Sequence, residues 1–393
     1  MTSFAVPAEL ARELGRRTRV FGIAGIILLL LSIIGAFFGP HDFFRAYLMG
    51  YLVMMNVALG CLGVLMMQYL TGGAWGVVSR RTLEAATRTL PFLAVLFIPV
   101  AFGMPWLYDW ANPELVSHDD ILQHRQPWMN PTMFVVRAVL YFAIWIGLSW
   151  ILNRSSREQD EGRMTRSTLR RVSAPGLIVY VFTATFAAVD WAESLTTHWY
   201  STMWGFLFVA IQGLSAIAVV IVTLAMLSRT EPLSQVLKPV HFHDLGKLLL
   251  MFVMLWAYFS FSQLLIVWSG DLTGEITWYL RRMSTSWGWL GGMLIVLQFI
   301  IPFLLLLSRP LKRNRQLLSA VVGLLLFMRF IEIMWIVMPS YYRTGFRLVW
   351  LDITAPLGIA GIWCAVFLWQ LGKRPLLPLH APNLEAALQH AEA

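Results

Sequence analysis

A chain of 393 residues with 58% hydrophobic side chains and only 13% charged ones has too little polar surface to cover a soluble globule. Its formal net charge of +9 raises nucleic acid as a partner, but the basic residues sit in short segments between apolar runs, where membrane topology and anionic lipid account for them. The two cysteines, Cys61 and Cys364, both lie in apolar runs and no CxxC occurs, which argues against a disulfide framework, a structural zinc site and a four-thiolate iron–sulfur cluster.

Ten apolar stretches of helix length follow in chain order: Val20–Phe38, Phe44–Leu70, Pro91–Asp109, Met133–Leu152, Pro175–Glu193, Met203–Leu227, Leu245–Trp268, Trp287–Ser308, Leu317–Met338 and Ile353–Leu371. Hydrocarbon offers no hydrogen-bond partners, so each is expected to be a helix that satisfies its own backbone. The first follows Arg16, Arg17 and Arg19 and has no small-residue cleavage site after it, so it reads as a retained helix. Of the 30 basic residues, 22 fall at the N-terminus, the C-terminus and every second connection. Six lie on the other side, and Arg137 and Arg329 lie within spans. The positive-inside rule then places both termini in the cytoplasm. The opposite loops 110–132 and 269–286 are long and rich in Trp, Tyr and acids, which suits contact with a partner. The tail 372–393 is interrupted by proline and then weakly helical, as expected of a segment at the cytoplasmic surface.

Ionisable groups inside a span cost about 2.5–3.5 kcal/mol each on insertion scales, so they are the functional candidates. The seventh span opens with His241, His243, Asp244 and Lys247. At 100° per residue Asp244, Lys247, Tyr258 and Ser262 share a face, a pattern that could seed a proton half-channel or could simply anchor the helix at the headgroups. The fifth span ends in Asp190 and Glu193, two carboxylates one turn apart, suited to proton relay. Arg329 and Glu332 in the ninth span have the same spacing and form either an ion pair or a relay. Arg137 in the fourth span has Asp109, Asp190 and Glu193 as candidate partners; a structural pair with Asp109 is the expectation carried forward. The shared i,i+3 spacing, with the WANPE and GDLTGE exits of spans three and seven, is the pattern of two parallel four-helix bundles, spans 2–5 (44–193) and spans 6–9 (203–338). None of the eight histidines falls mid-span, which argues against haem; there is no P-loop and no HExxH.

The segment DWAESLTTHWYSTMWG (190–205) resembles a motif of the integral membrane subunits of bacterial alternative complex III, the polysulfide-reductase-like subunits of a quinol:electron-acceptor oxidoreductase. Further blocks in the same order are GGAWGVVSRRTLEAATRTLPFL (72–93), HDDILQHRQPWMNPTMFVVRAVLYFAIW (118–145), FHDLGKLLLMFVMLWAYFSFSQLLIVWSGDL (242–272) and the tail PLHAPNLEAALQHAEA. The length and the FHDLGKLL block resemble the F-type subunits rather than the longer, quinol-binding C-type.

The resemblance implies an all-α membrane protein of ten helices, two four-helix bundles flanked by spans 1 and 10. It implies a bacterial inner membrane, a respiratory or photosynthetic complex, and partners that include a pentahaem cytochrome, an iron–sulfur subunit, the quinol-binding C-type membrane protein and a monohaem cytochrome. Haems and clusters would belong to those partners, and this chain would hold no cofactor, with quinone or quinol as the candidate ligand. It also implies a proton route through Asp244, Lys247 and Tyr258 on one half and Asp190 and Glu193 on the other. Relatives often carry a neutral residue where Glu193 stands, a departure that leaves Asp190 the firmer of the two positions. Direct quinone binding and an independent secondary transporter are the competing expectations.

Overall fold

A computed structural model describes residues 6–163 and 166–379. Its ten long apolar helices are α1 (Ala8–Ala36), α2 (Pro40–Thr71), α3 (Ala74–Phe102), α4 (Pro131–Asp160), α5 (Ser167–Leu195), α6 (Trp204–Leu227), α7 (Pro239–Gly270), α8 (Trp287–Leu307), α9 (Arg315–Ser340) and α10 (Leu351–Leu371). Among the described residues there is no strand. The chain is an all-α, multi-pass membrane protein. Leu14 at the start of α1 lies beside Gly372 at the end of α10, so the two terminal helices begin and end on one face, which also collects most of the arginines.

Helices α2–α5 form one four-helix group and α6–α9 a second, while α1 pairs with α10 and that pair lies against α2. The groups meet where α2 crosses α6, and both of these helices are buried along nearly their whole length. Lipid tails give apolar side chains no reason to leave them, so helix association relies on close packing, and small residues permit it. A Cβ placed on Gly60 of α2 would stand 1.8 Å from the carbonyl oxygen of Gln212 on α6. The α1–α10 crossing uses the same device: a Cβ on Gly25 would come within 2.7 Å of the Ile362 nitrogen and 2.9 Å of the Gly358 oxygen.

Several helices run further at the arginine-rich face than hydropathy predicts. α3 begins at Ala74 rather than Pro91, α7 at Pro239 rather than Leu245, and α1 at Ala8 rather than Val20. The reason in α3 is electrostatic: Arg80, Arg81 and Glu84 are buried and satisfy one another, so the helix continues through residues that hydropathy assigns to a loop. Past Leu90, the prolines at 91, 99 and 105 divide the chain into short helical turns ending at Leu107. α8 contains a π-helical stretch, Leu294–Ile300, immediately before Pro302. A proline ring clashes with the carbonyl four residues back, here that of Gln298, and the widened turn relieves it. The loops 110–132 and 269–286 fold into short helices, Pro113–Ser117, Asp120–Arg125 and Thr273–Met283, the first two capped by Asn112 and Asp119. From His380 onward the expected surface tail lies outside the described residues.

Candidate functional site: the carboxylates buried in the two helix groups

At the face opposite the arginine-rich one, Asp190 and Glu193 close α5, and their surroundings differ sharply. Asp190 accepts four hydrogen bonds: Arg137 Nε to Oδ2 at 2.8 Å, Arg137 Nη2 to Oδ1 at 2.9 Å, the Tyr141 hydroxyl at 2.9 Å and Trp128 Nε1 at 3.2 Å. A carboxylate offers about four acceptor directions, and all are taken. Arg137 also stacks over the Trp128 ring at 4.2 Å. The pair expected between Arg137 and Asp109 is therefore corrected: Arg137 binds Asp190, while Asp109 is exposed beyond the end of α3, near Arg281. A helical ladder brings Arg137 and Tyr141 of α4 onto the face that meets α5. Asp109, on the turn that follows the proline-broken α3, points away.

Glu193 is buried but accepts only the Ser201 backbone N–H, at 2.5 Å, and forms no ion pair among the described residues. It lines a cavity of about 300 Å³ with His124, Trp128, Trp199 and Tyr200. The cavity walls are pinned from both groups. Arg125 donates to the Thr197 carbonyl, Trp199 Nε1 donates to the Glu275 carbonyl at 3.0 Å, and Trp199 stacks on Trp278 with centroids 4.9 Å apart. Behind that stack the wholly buried Arg282 donates to the carbonyls of Trp278, Trp335 and Ile336 and lies 3.6 Å over the Trp278 ring. Burial pushes its pKa well down, yet three carbonyls and an aromatic face hold the cation without a carboxylate.

A buried polar line runs along α4 from this end to the other. Tyr141, Trp145, Ser149, Asn153 and Ser156 recur at intervals of three and four residues on the inward face. Trp145 Nε1 donates to the Thr183 hydroxyl at 2.9 Å, Ser149 to the Thr87 carbonyl at 3.1 Å, Asn153 to the Thr87 hydroxyl at 3.0 Å, and Ser156 to Glu84 at 2.5 Å. At 1.5 Å per residue the line from Tyr141 to Ser156 covers about 22 Å, most of a hydrocarbon core of about 30 Å. It ends in a buried ionic cluster. Glu84 accepts from Arg80 at 2.9 Å, Arg81 at 2.7 Å, Tyr69 at 3.2 Å and Arg374 at 3.3 Å in addition to Ser156, and Arg81 reaches on to Asp160.

In the second group the predicted residues separate. His241, His243, Asp244 and Lys247 do gather in the first turns of α7. His241 Nδ1 accepts from the Lys238 backbone at 3.2 Å, and Lys247 donates to Asp244 at 3.0 Å. Tyr258, however, is 62% exposed on the outside of the bundle, and Ser262 is half-buried on that side. Leu245, Leu249, Phe252 and Trp256 form the opposite face, and burying that stripe turns the polar one outward. Arg329 and Glu332 lie inside, 2.6 Å apart, with Trp256 Nε1 donating to Glu332. Their approach is off the hydrogen-bond axis, so the guanidinium nitrogens of Arg329 remain without a directed partner, as do both amide atoms of Gln298 in the π-helical turn. Tyr258 therefore lies on the outside of the bundle, while Arg329 lies within it.

Sequence reasoning missed Glu84, Arg80, Arg81 and Arg374, and likewise Arg45, whose guanidinium is buried between Asp352 and Asp42 at 2.9 Å from each. The available signals were the Arg-Arg-x-x-Glu spacing, which aligns both cations with one carboxylate on a helix, and the small polar residues at helical spacing in span four. No family model matches this chain, and no curated protein matches its sequence.

Proposed function

We propose that this chain is a non-haem, cofactor-free membrane subunit of a quinol-oxidising electron-transfer complex of the alternative complex III type, in a bacterial inner membrane with both termini in the cytoplasm. It anchors the redox subunits and exchanges protons at Glu193. The motif blocks named above support the assignment to such a complex, and the charge asymmetry of the loops supports the orientation. One observation carries the chemistry: Glu193 is a buried carboxylate with a single donor, set in the lining of a cavity, while its neighbour Asp190 is fully occupied by fixed donors. Asp190 holds Arg137 and Trp128 in place as part of the wall, and Glu193 takes and gives the proton. Inward from this site the polar line of α4, which begins at Tyr141 on Asp190, is the candidate route, in place of the α7 stripe, whose Tyr258 faces outward.

The test uses the intact complex in sealed vesicles. Glu193→Gln, with assembly and electron transfer verified, lowers the number of protons moved per electron, and Asn153→Leu lowers it as well. An unchanged ratio in Glu193→Gln removes the assignment; an unchanged ratio in Asn153→Leu alone removes the α4 route.

The second reading is direct quinol binding, favoured by the aromatic lining of the same cavity. Its volume lies at the lower end of small-ligand sites and suits a ring rather than a whole isoprenoid quinol. Glu193 and His124 would accept the two hydroxyl protons. A photoreactive quinone that labels His124–Met129 or Trp199–Tyr200 supports this reading, and labelling confined to other proteins of the complex refutes it.

A further inference from the structure

On the arginine-rich face, a groove of about 590 Å³ opens between α3, α4 and α10. Five arginines and two glutamates line it. Two of the arginines are neutralised within α4 and its C-terminal turn, Arg154 by Glu158 at 2.9 Å and Arg163 by Glu161. Arg88, Arg157 and Arg374 remain. Arg88 donates from Nη2 to the Gln370 carbonyl at 2.8 Å, and its buried Nε has no partner. Arg157 is exposed and has no hydrogen-bond or ion-pair partner among the described residues. Arg374 donates to Asn153 Oδ1 at 3.2 Å and to Glu84 at 3.3 Å, a carboxylate it shares with Arg80 and Arg81. Among the described residues Arg88 and Arg157 thus have no carboxylate partner, and Arg374 has only a share of one. Burial depresses the Arg374 pKa, the Glu84 carboxylate partly offsets this, and the neighbouring cations Arg81 and Arg157 add to the lowering.

Pro91, Phe92, Ile146 and Trp150 give the groove an apolar side, with Ser149, Asn153 and Gln370 completing the lining. Phe92 and Trp150 are exposed on its outer wall, toward the bilayer. Charge at one end and an open hydrocarbon wall at the other match an amphiphile, whereas a soluble anion would use only the charged end.

We propose that this groove binds an anionic glycerophospholipid, its phosphodiester held by Arg88, Arg157 and Arg374 and one acyl chain lying along Phe92 and Trp150. Such a lipid supplies the missing negative charge where α10 meets α3 and α4, and so locks the terminal helix onto the first four-helix group. Basic pockets between transmembrane helices are a recurring form of anionic-lipid recognition. The inference is independent of the role of Glu193.

The test is native mass spectrometry of the full chain, delipidated in detergent and titrated with phosphatidylglycerol or phosphatidylcholine of matched acyl chains. Arg157→Gln removes a partnerless, exposed cation, so folding is spared. Its affinity for phosphatidylglycerol should fall about fivefold, the equivalent of about 1 kcal/mol for one basic residue near a lipid headgroup. Arg313→Gln, on the same face but outside the groove, should leave affinity unchanged. Equal binding of both lipids, an equal loss with Arg313→Gln, or full displacement of phosphatidylglycerol by millimolar inorganic phosphate would each overturn the proposal, the last by showing a soluble-anion site.

Discussion

Removing the charge of Glu84 should be among the most damaging single changes in this protein. Its two oxygens receive five donors: three arginines, the Ser156 hydroxyl and the Tyr69 hydroxyl. Glu84→Gln leaves one acceptor oxygen and turns an NH2 group toward guanidiniums that are themselves buried. Arg81 keeps Asp160, but Arg80 keeps only its bond to Ser156 at 2.7 Å and a place over the Tyr69 ring at 5.0 Å. Breaking a buried pair by removing one partner costs about 3–5 kcal/mol, because the remaining charge is uncompensated. The assay is thermal and denaturant unfolding in detergent, followed by tryptophan fluorescence. The origin of the loss can be isolated: in Glu84→Gln with Arg80→Leu the stranded cation is gone, so the double variant should be more stable than Glu84→Gln alone. Losses that simply add would refute the view that an uncompensated arginine is the cause.

Three further outcomes follow from the geometry. Gly60→Ala should cost about 1–3 kcal/mol, since the new methyl overlaps the Gln212 carbonyl and α2 and α6 must move apart; a melting temperature equal to that of the parent would contradict the close approach. Arg137→Lys should cost about 1.5–3 kcal/mol in the same assay, because an ammonium replaces neither the paired bonds to Asp190 nor the stacking on Trp128, and a neutral result would argue against that wall. The backbone N–H of Leu122, then the bond to His198, lower the Asp119 pKa, so its cap on Asp120–Arg125 is fully present above the ordinary carboxylate value of about 3.9 and is lost as pH falls through the lower folded value. Hydrogen exchange of this helix should stay protected at pH 4 and open below it, and opening that begins above pH 4 would show that the cap is not what holds it.

The ten spans and their order are legible in the sequence because a bilayer leaves few options: each crossing needs about 20 apolar residues, and each must satisfy its own backbone. The helix ends are less legible, because hydropathy cannot distinguish a charged residue at the water interface from one buried against a counter-ion. For that reason it assigns Arg80, Arg81 and Glu84 to a loop. The i,i+3 pairs are visible, yet spacing alone does not say which carboxylate takes Arg137, because Asp109, Asp190 and Glu193 all fall near one end. Orientation also escapes the sequence in α7. Its polar stripe and its apolar stripe are both continuous, and only the packing of Trp256 and Phe252 against the bundle shows which one turns outward.

A paired arginine distinguishes the other buried carboxylates from Glu193. Glu84 and Asp190 are surrounded by arginine and hydroxyl donors; Asp352 holds Arg45 and the Val349 N–H; Glu332 holds Arg329 and the Trp256 indole. Each of these joins helices that lipid alone would not hold together; Glu332 does so through one hydrogen bond, from Trp256, and the facing charge of Arg329. Glu193 holds only the Ser201 backbone N–H, so a change in its charge would leave the helix contacts in place. Rigidity elsewhere is what makes that freedom useful. With Asp190 clamping Trp128 on one side and the Trp199–Trp278 stack fixed on the other, the cavity keeps its shape while one carboxyl group changes charge. The proposed proton exchange at Glu193 rests on that combination of one weakly held carboxyl group and fixed walls.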